Sequence, residues 1–352
     1  MEHHPIPSLA VLGICSPERS RVAASLAAAS GRELITASRL TLSPDPLAEA
    51  VNLLPWTQEC GAVIEFPVQV PAPEIIGSLM DGSPDDPSPA RLDGLLAVVD
   101  AAHFLTDLHR TDVIDHHTAV HGVLVPASSA RSLLMVEQIE LASAVCLVNW
   151  RGMAEEERTR IRAIISHLAP TAPIFDDDGP ACVSWLERTA AAPQSGGVEL
   201  TRPGWVCRLN GHHHCRHTCP EVETMIYSQP RPLHPVRLRG VLDDEIEPGV
   251  HGMVLRSSGF CRIATRPGIT GRWSHAGKVI TFEPAGVDGA EELGGLPLSW
   301  GQELVLTGVG LDVDGLRSAL DRAVLTDAEL LAGPQLWSTL PDPFPAWSEA
   351  LP

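Results

Sequence analysis

The stretch His212-His213-His214-Cys215-Arg216-His217-Thr218-Cys219 carries six metal-ligating side chains in one short run. Thiolate and imidazole together suit zinc or another borderline soft ion, and the close spacing lets at least two of these ligands reach one ion. A closed tetrahedral site would recruit Cys207 as well. The plainer alternative is a solvated polar linker with incidental histidines. Asp115, His116, His117 and His121 form a thinner group. Were that stretch helical, His117 and His121 would share a face, as residues four apart do. A histidine pair of that kind is ordinarily a surface feature. Asp176-Asp177-Asp178 reads as a solvated acidic turn, and His3 and His4 as an unstructured start. Cys60, Cys146, Cys182 and Cys261 sit in apolar surroundings and are expected in the core as small hydrophobes. No Ser-His-Asp or Cys-His spacing is recognisable, so a hydrolytic enzyme finds no support.

The elements that must position these residues fall into two grammars. In the first half, Ser8 to Ile14, Cys60 to Phe66, Leu95 to Asp100 and Ala144 to Val148 are short apolar runs of the kind buried parallel strands show. Between and after them, Glu18 to Ala29, Ala130 to Leu141 and Glu155 to His167 have helical character, with Pro17 near the start of the first. Strand–helix alternation predicts a doubly wound, mostly parallel α/β domain over residues 1–190. A His/Cys-rich linker is expected over 191–222. The remainder, 223–352, reads as a smaller α+β domain with a mainly antiparallel sheet. Its strands are expected at Val250 to Arg256, Phe260 to Thr265, Lys278 to Glu283 and Glu303 to Val309, followed by helices at Asp314 to Ala323 and Asp327 to Leu331. Thr326 and Glu329 have capping-box spacing for the last helix.

The chain of 352 residues is long enough for two cores, and its formal charge of −19 makes it a poor partner for phosphate backbones. Sequence-specific DNA binding is therefore not expected. No apolar run is long enough to span a bilayer. Met1-Glu2-His3-His4-Pro5 lacks the charged and apolar regions of a secretory signal, so the expected setting is a reducing cytoplasm. The abundance of Ala, Gly and Pro suits a high-GC genome.

Several segments, in order, resemble the CobW-like family of P-loop GTPases and zinc metallochaperones. Arg231-Pro232-Leu233-His234-Pro235-Val236-Arg237-Leu238 is similar to the family's RPFHPeRL opening of the C-terminal domain. Gly259 to Pro267 is similar to its strand into an RP turn, and Trp273-Ser274-His275-Ala276-Gly277 to its WSqaG element. Gln302 to Asp312 resembles QELVFIGigLD, Leu325 to Glu329 resembles LTDeE, and Asp342 to Trp347 resembles DPFPxW. In the first half, Val98 to Phe104 resembles VVDaanF and Glu137 to Ala142 resembles EQIEfAd.

The resemblance implies three functional motifs, and each departs from the family here. The phosphate loop GxxxxGK[ST] works through glycine-flanked N–H donors, a lysine charge and a magnesium-holding hydroxyl. The matching residues are Gly13-Ile14-Cys15-Ser16-Pro17-Glu18-Arg19-Ser20. Gly13 and Ser20 fit, but Glu18 replaces the second glycine, Pro17 deletes an N–H, and Arg19 replaces the compact ammonium. The guanine motif NKxD is reduced to Asn149-Trp150-Arg151-Gly152, without its carboxylate. The metal-transfer CxCC has no cysteine in the equivalent Leu40 to Leu47, and Val63-Ile64-Glu65-Phe66-Pro67 lacks the Ser-Gly of the family's ViExsG. The residues of a weak, degenerate nucleotide site are then Gly13, Arg19, Ser20, Asp100 and Asn149, and tight binding of GTP with magnesium is not expected there. A His-rich stretch is common in the family where His212, His213, His214, Cys215, His217 and Cys219 lie, which favours zinc there.

Three functions emerge as expectations. The first is a pseudo-GTPase of zinc homeostasis that binds metal and docks a client protein. The second is a ribosome-associated adaptor recruiting a hibernation factor under zinc shortage, as some actinobacterial relatives do. A local arginine surface from Arg231, Arg237, Arg239, Arg256, Arg262, Arg266 and Arg272 would serve it. The third is an active GTP-dependent zinc metallochaperone with a variant loop.

Overall fold

A computed structural model of the chain describes residues 5–57, 60–80, 90–120, 123–191, 202–212, 214–289 and 298–347. Two compact units emerge: Met1–Pro203 with His214–His217, and Gly204–His213 with Thr218–Pro352.

In the first unit β1 (Ile6–Leu12) leads through a tight loop to α1 (Ser16–Ser30). Helix α1 begins earlier than its apolar pattern suggests because Pro17 pre-sets the first turn, and it ends at Gly31 in the left-handed conformation (φ 68°). Next come β2 (Glu33–Ile35), α2 (Ala37–Leu40), α3 (Pro46–Leu53), a short 3₁₀ turn, β3 (Ala62–Glu65), α4 (Ala72–Met80) and β4 (Ala90–Asp100). The unit continues with α5 (Phe104–Leu108), a hairpin of β5 (Val113–Val120) and β6 (Val123–Ala130), α6 (Arg131–Glu140), β7 (Ala144–Val148), α7 (Glu155–Leu168), β8 (Ile174–Phe175) and α8 (Pro180–Ala191).

The main sheet runs β2-β3-β1-β4-β7-β8 with every pairing parallel, which is the doubly wound α/β architecture expected from the sequence. Successive β1 residues serve opposite faces: Ala10 and Leu12 join a core with Ile64, Phe66 and Ile75, while Leu9 and Val11 join one with Val22, Leu26 and Trp185. Because β1 lies between β3 and β4, chain direction across the sheet reverses there. In open α/β sheets the crevice beyond the carboxyl ends at such a reversal is where ligands bind. Gly13, Glu65, Asp100 and Asn149 all lie at carboxyl ends of these strands.

The second unit contains α9 (Gly204–Leu209), β9 (Val222–Gln229), α10 (Pro235–Val241) continued by a π turn, β10 (Met253–Cys261), β11 (Ile269–Ala276), β12 (Val279–Val287), β13 (Gln302–Val309), α11 (Val313–Ala323), α12 (Asp327–Ala332) and α13 (Pro334–Trp337). Its five-stranded sheet, β12-β11-β10-β13-β9, is antiparallel throughout. Leu304, Leu306 and Tyr227 from the sheet pack with Leu238, Leu316 and Leu320 from the helices. Trp273, Phe282 and Phe344 stack edge to face with centroids 5.0 and 4.8 Å apart.

The family-like motifs turn out to be fasteners. The hydroxyl of Thr326 and the carboxylate of Glu329 complete the expected capping box on α12. Arg237 grips Glu329 bidentately (2.9 and 2.7 Å) and also donates to the Val324 carbonyl (2.8 Å). Its charge, with the Thr326 donors, holds the Glu329 carboxyl down at about 2. Arg231 pairs with Asp327. In the tail, Arg266 lies over the Trp347 ring at 4.2 Å and Trp347 Nε1 donates to the Phe282 carbonyl at 2.7 Å.

Several local expectations are corrected. The two strands expected at Val250 to Arg256 and Phe260 to Thr265 are one, β10, which runs through Gly259 because the Glu303 carbonyl of β13 occupies the space a Cβ would need. β9 and β11 were not expected, and α9 forms inside the stretch read as linker. Cys146, Cys182 and Cys261 are buried as expected, but Cys60 is exposed because it precedes β3. Several arginines of the expected surface make ion pairs, while Arg239 keeps an exposed side chain. Arg239, Arg262 and Arg266 pair with Asp243, Asp288 and Asp342, and Arg256 is buried.

Candidate functional site

The crevice at the carboxyl ends of β1, β3, β4 and β7 is filled by its own side chains. Gly13 leaves β1 with φ 150°, and a Cβ there would stand 2.6 Å from the Val98 carbonyl. This close approach is what a phosphate loop needs from its first glycine. The rest of the loop departs from that design. Arg19 is buried, 3% exposed. Its Nε donates to Glu65 Oε1 at 3.1 Å and its Nη1 to the Gly13 carbonyl at 2.5 Å. The Ser20 hydroxyl donates to the same Glu65 oxygen at 2.6 Å, and the Ala37 N–H to Oε2 at 3.2 Å. The cation and the hydroxyl that would serve phosphate and magnesium therefore both serve one carboxylate at the end of β3.

Glu18 occupies the first turn of α1, where the helix dipole favours an anion. Its Oε1 accepts from Asn149 Nδ2 at 3.1 Å. Asn149 holds the left-handed conformation (φ 56°), an unusual backbone for any residue but glycine and one that asparagine tolerates. The lone survivor of the guanine motif thus contacts the phosphate loop's own carboxylate. Beyond it, Trp150 donates its indole N–H to the Asp176 carbonyl, with the Arg158 and Arg151 guanidinium groups 5.0 and 5.8 Å from its ring. Asp100 accepts from the Ala102 N–H at 3.0 Å and contacts His103 Nδ1 at 2.7 Å. That hydrogen bond and the Asp100 charge raise the His103 pKa above 6.5. Burial, with Glu18 and Asp100 nearby, pushes the Cys15 thiol up to about 12, which keeps it protonated and inert.

The structure therefore brings Gly13, Arg19, Ser20, Asp100 and Asn149 to the same end of the sheet. They do not fit a triphosphate: a carboxylate stands at the helix N-terminus, and the Arg19 charge is already neutralised. The sequence exposed Glu18 as a misplaced charge. It did not expose Glu65 as the partner that closes the site, although its place at the end of a strand beside the loop was a signal.

The segment equivalent to the family's CxCC runs from the end of α2 into α3. Asp45 caps α3, accepting from the N–H groups of Leu47 (3.1 Å) and Ala48 (2.9 Å). Asp115, His116 and His117 lie on strand β5, not on a helix, so side-chain alternation replaces the four-residue helical repeat. His121 lies outside the described residues.

Of the proposed metal ligands, His214, Cys215 and His217 group with the first unit, and His212 and Cys219 with the second. His213 lies outside the described residues. The His217 N–H donates to the Ser166 hydroxyl at 3.1 Å. Burial and the nearby Arg162 charge lower its imidazole pKa, which favours the neutral form a metal requires. Cys207 is buried within α9. Among the described residues no three His, Cys, Asp or Glu side chains converge closely enough to hold a metal. None of their helices is long and apolar enough to cross a membrane.

Residues 222–324 match the family of the cobalamin synthesis protein cobW C-terminal domain. Over 275 residues the chain is 29% identical to zinc-regulated GTPase metalloprotein activator 1 of Dictyostelium discoideum, covering 72% of this chain and 56% of that protein. The chain thus spans little more than half the length of this relative. The Zn(II)-bound YjiA GTPase from E. coli is similar at 13% identity and a TM-score of 0.32, covering 92% of this chain and 100% of that one. A Zn(II)-bound triple mutant of YjiA GTPase gives 13% and 0.33 over the same shares. Residues 222–324, with the motifs that fasten them, are thus similar to the cobW C-terminal domain family, and a doubly wound unit precedes them.

Proposed function

We propose that this chain is a pseudo-GTPase of the CobW-like family that acts in zinc homeostasis or the response to zinc limitation, binding metal and docking a protein partner without a nucleotide cycle. The observation that carries this reading is the ion pair between Arg19 and Glu65, both side chains 4% exposed, which occupies the phosphate-loop cation. Asn149 bound to Glu18 supports the same reading from the base side. Zinc is supported by the relative's name, which joins zinc regulation to metalloprotein activation. The His/Cys run His212 to Cys219 supplies thiolate and imidazole donors suited to it. The partner is a client protein or a hibernation factor at the ribosome. Because so many arginines of the C-terminal unit are paired internally, that partner is met through protein contacts more than through RNA phosphates.

One calorimetric series on the metal-stripped protein tests this: GTP with magnesium, then zinc. The expected result is no heat of GTP binding and tight zinc binding. Micromolar GTP binding would overturn the reading and make the chain a working GTPase with a variant loop.

A further inference from the structure

A pocket of about 570 Å³ opens in the first unit between the start of α3, helix α4 and the β5–β6 hairpin. A hydrogen bond from the Thr118 hydroxyl to Glu74 Oε1 (2.6 Å) ties the hairpin to α4 and holds one wall in place. Its size is that of a small-molecule site, not of a bare ion. The carboxylates of Asp45 and Glu74 line it, and no lysine or arginine does. Asp45 and Glu74 accept only from backbone N–H groups and a hydroxyl, so among the described residues neither charge is neutralised by a cation. Leu47, Val51 and Val70 supply an apolar surface beside them. His116 lines the same pocket with its Nδ1 buried and without a partner, and a buried polar atom of that kind ordinarily meets one.

Each feature limits the occupant. Unneutralised carboxylates repel phosphates and other anions. No three ligand side chains among the described residues converge on a point, so these residues form no metal cage there. The apolar wall favours a ligand with an aliphatic stem, and the carboxylates favour a charged donor group at its end. We infer that this pocket binds an amine or guanidinium group carried on an aliphatic chain. The source is either a free alkylamine or the lysine or arginine side chain of a peptide, which offer the same chemistry.

The test is titration calorimetry on the full chain with agmatine, and in parallel with the blocked tripeptide acetyl-Leu-Lys-Leu-amide. Binding of either is expected, and it should weaken about tenfold or more in Glu74→Gln and in Asp45→Asn, since each removes one charge-assisted contact. Glu74→Gln keeps an acceptor for Thr118, and thermal melts confirm that both variants fold. Tighter binding of the tripeptide assigns the source to a protein side chain, and tighter binding of agmatine to a free amine. Absence of binding by both probes at millimolar concentration would overturn the inference, as would equal affinity in parent and variants. Zinc binding that is lost in His116→Ala, with neither probe bound, would overturn it in favour of a metal site.

Discussion

Arg19→Met separates an internal role for this arginine from a ligand-binding one. In the structure Arg19 makes two hydrogen bonds, to Glu65 Oε1 at 3.1 Å and to the Gly13 carbonyl at 2.5 Å, and both ion-pair side chains are 4% exposed. Removing one partner of a buried pair costs about 3–5 kcal/mol because the other charge stays behind. Glu65 would keep the Ser20 hydroxyl (2.6 Å) and the Ala37 N–H (3.2 Å), which puts the cost at the lower end of that range. About 3 kcal/mol in a unit of this size lowers its melting temperature by roughly 6–12 °C. Scanning calorimetry gives the shift, and hydrogen exchange at β1 and β3 assigns it to the first unit. Adding Glu65→Gln removes the stranded charge and is expected to recover half or more of the loss. A loss below about 1 kcal/mol in Arg19→Met would refute the reasoning, since a ligand-binding arginine normally contributes little to the unliganded fold. Equal and additive losses from the two substitutions would refute it as well.

Glu18→Gly vacates the N-terminus of α1, and inorganic phosphate should then bind in roughly the millimolar range by calorimetry; no gain over the parent would mean that Glu18 is not what occupies the anion position. His103 should titrate above its ordinary 6.5 by NMR and return towards it in Asp100→Asn. Because its folded pKa is raised, its contribution to stability is present below the ordinary histidine value and is lost as pH rises through the raised one. Glu329 runs the other way: held at about 2 by Arg237, it stabilises the C-terminal unit above the ordinary carboxylate range and loses that contribution as pH falls towards its folded value. Acid melts of Arg237→Gln should lack that dependence. Replacing His213, His214, Cys215, His217 and Cys219 together should abolish bound zinc by elemental analysis while both units keep their melts; unchanged zinc content would remove this run from consideration.

The parallel sheet could be read in advance because β1, β4 and β7 are apolar on both faces, a pattern that depends only on local composition. The capping box was equally local, being set by Thr326 and Glu329 alone. β10 was read as two strands because Gly259 looks like a turn, whereas it is the β13 backbone, distant in sequence, that requires glycine there. The hairpin of β5 and β6 interrupts its apolar residues with Asp115-His116-His117-Thr118 on one strand, so its register rests on the partner strand. At the site, the loss of the lysine, the second glycine and the guanine-reading carboxylate was visible in the residues themselves. The groups that filled the space were not. Glu65 meets Arg19, and Asn149 meets Glu18, across 46 and 131 positions of chain. Those meetings exist only once β1, β3 and β7 are side by side.

The closed loop also bears on how such a molecule would be controlled. A protein that binds nucleotide gains stability from it, by about 2.7 kcal/mol when the ligand stands at a hundred times its dissociation constant, and gives that stability up when the nucleotide is consumed. That exchange is what lets a GTPase act as a clock. With Glu18 at the helix terminus and Glu65 on Arg19, the proposed reading has the chain's own side chains take the place of that ligand. On the proposed reading, a nucleotide pool has no resting and active forms to choose between, and control passes to zinc and to the number of copies a cell makes.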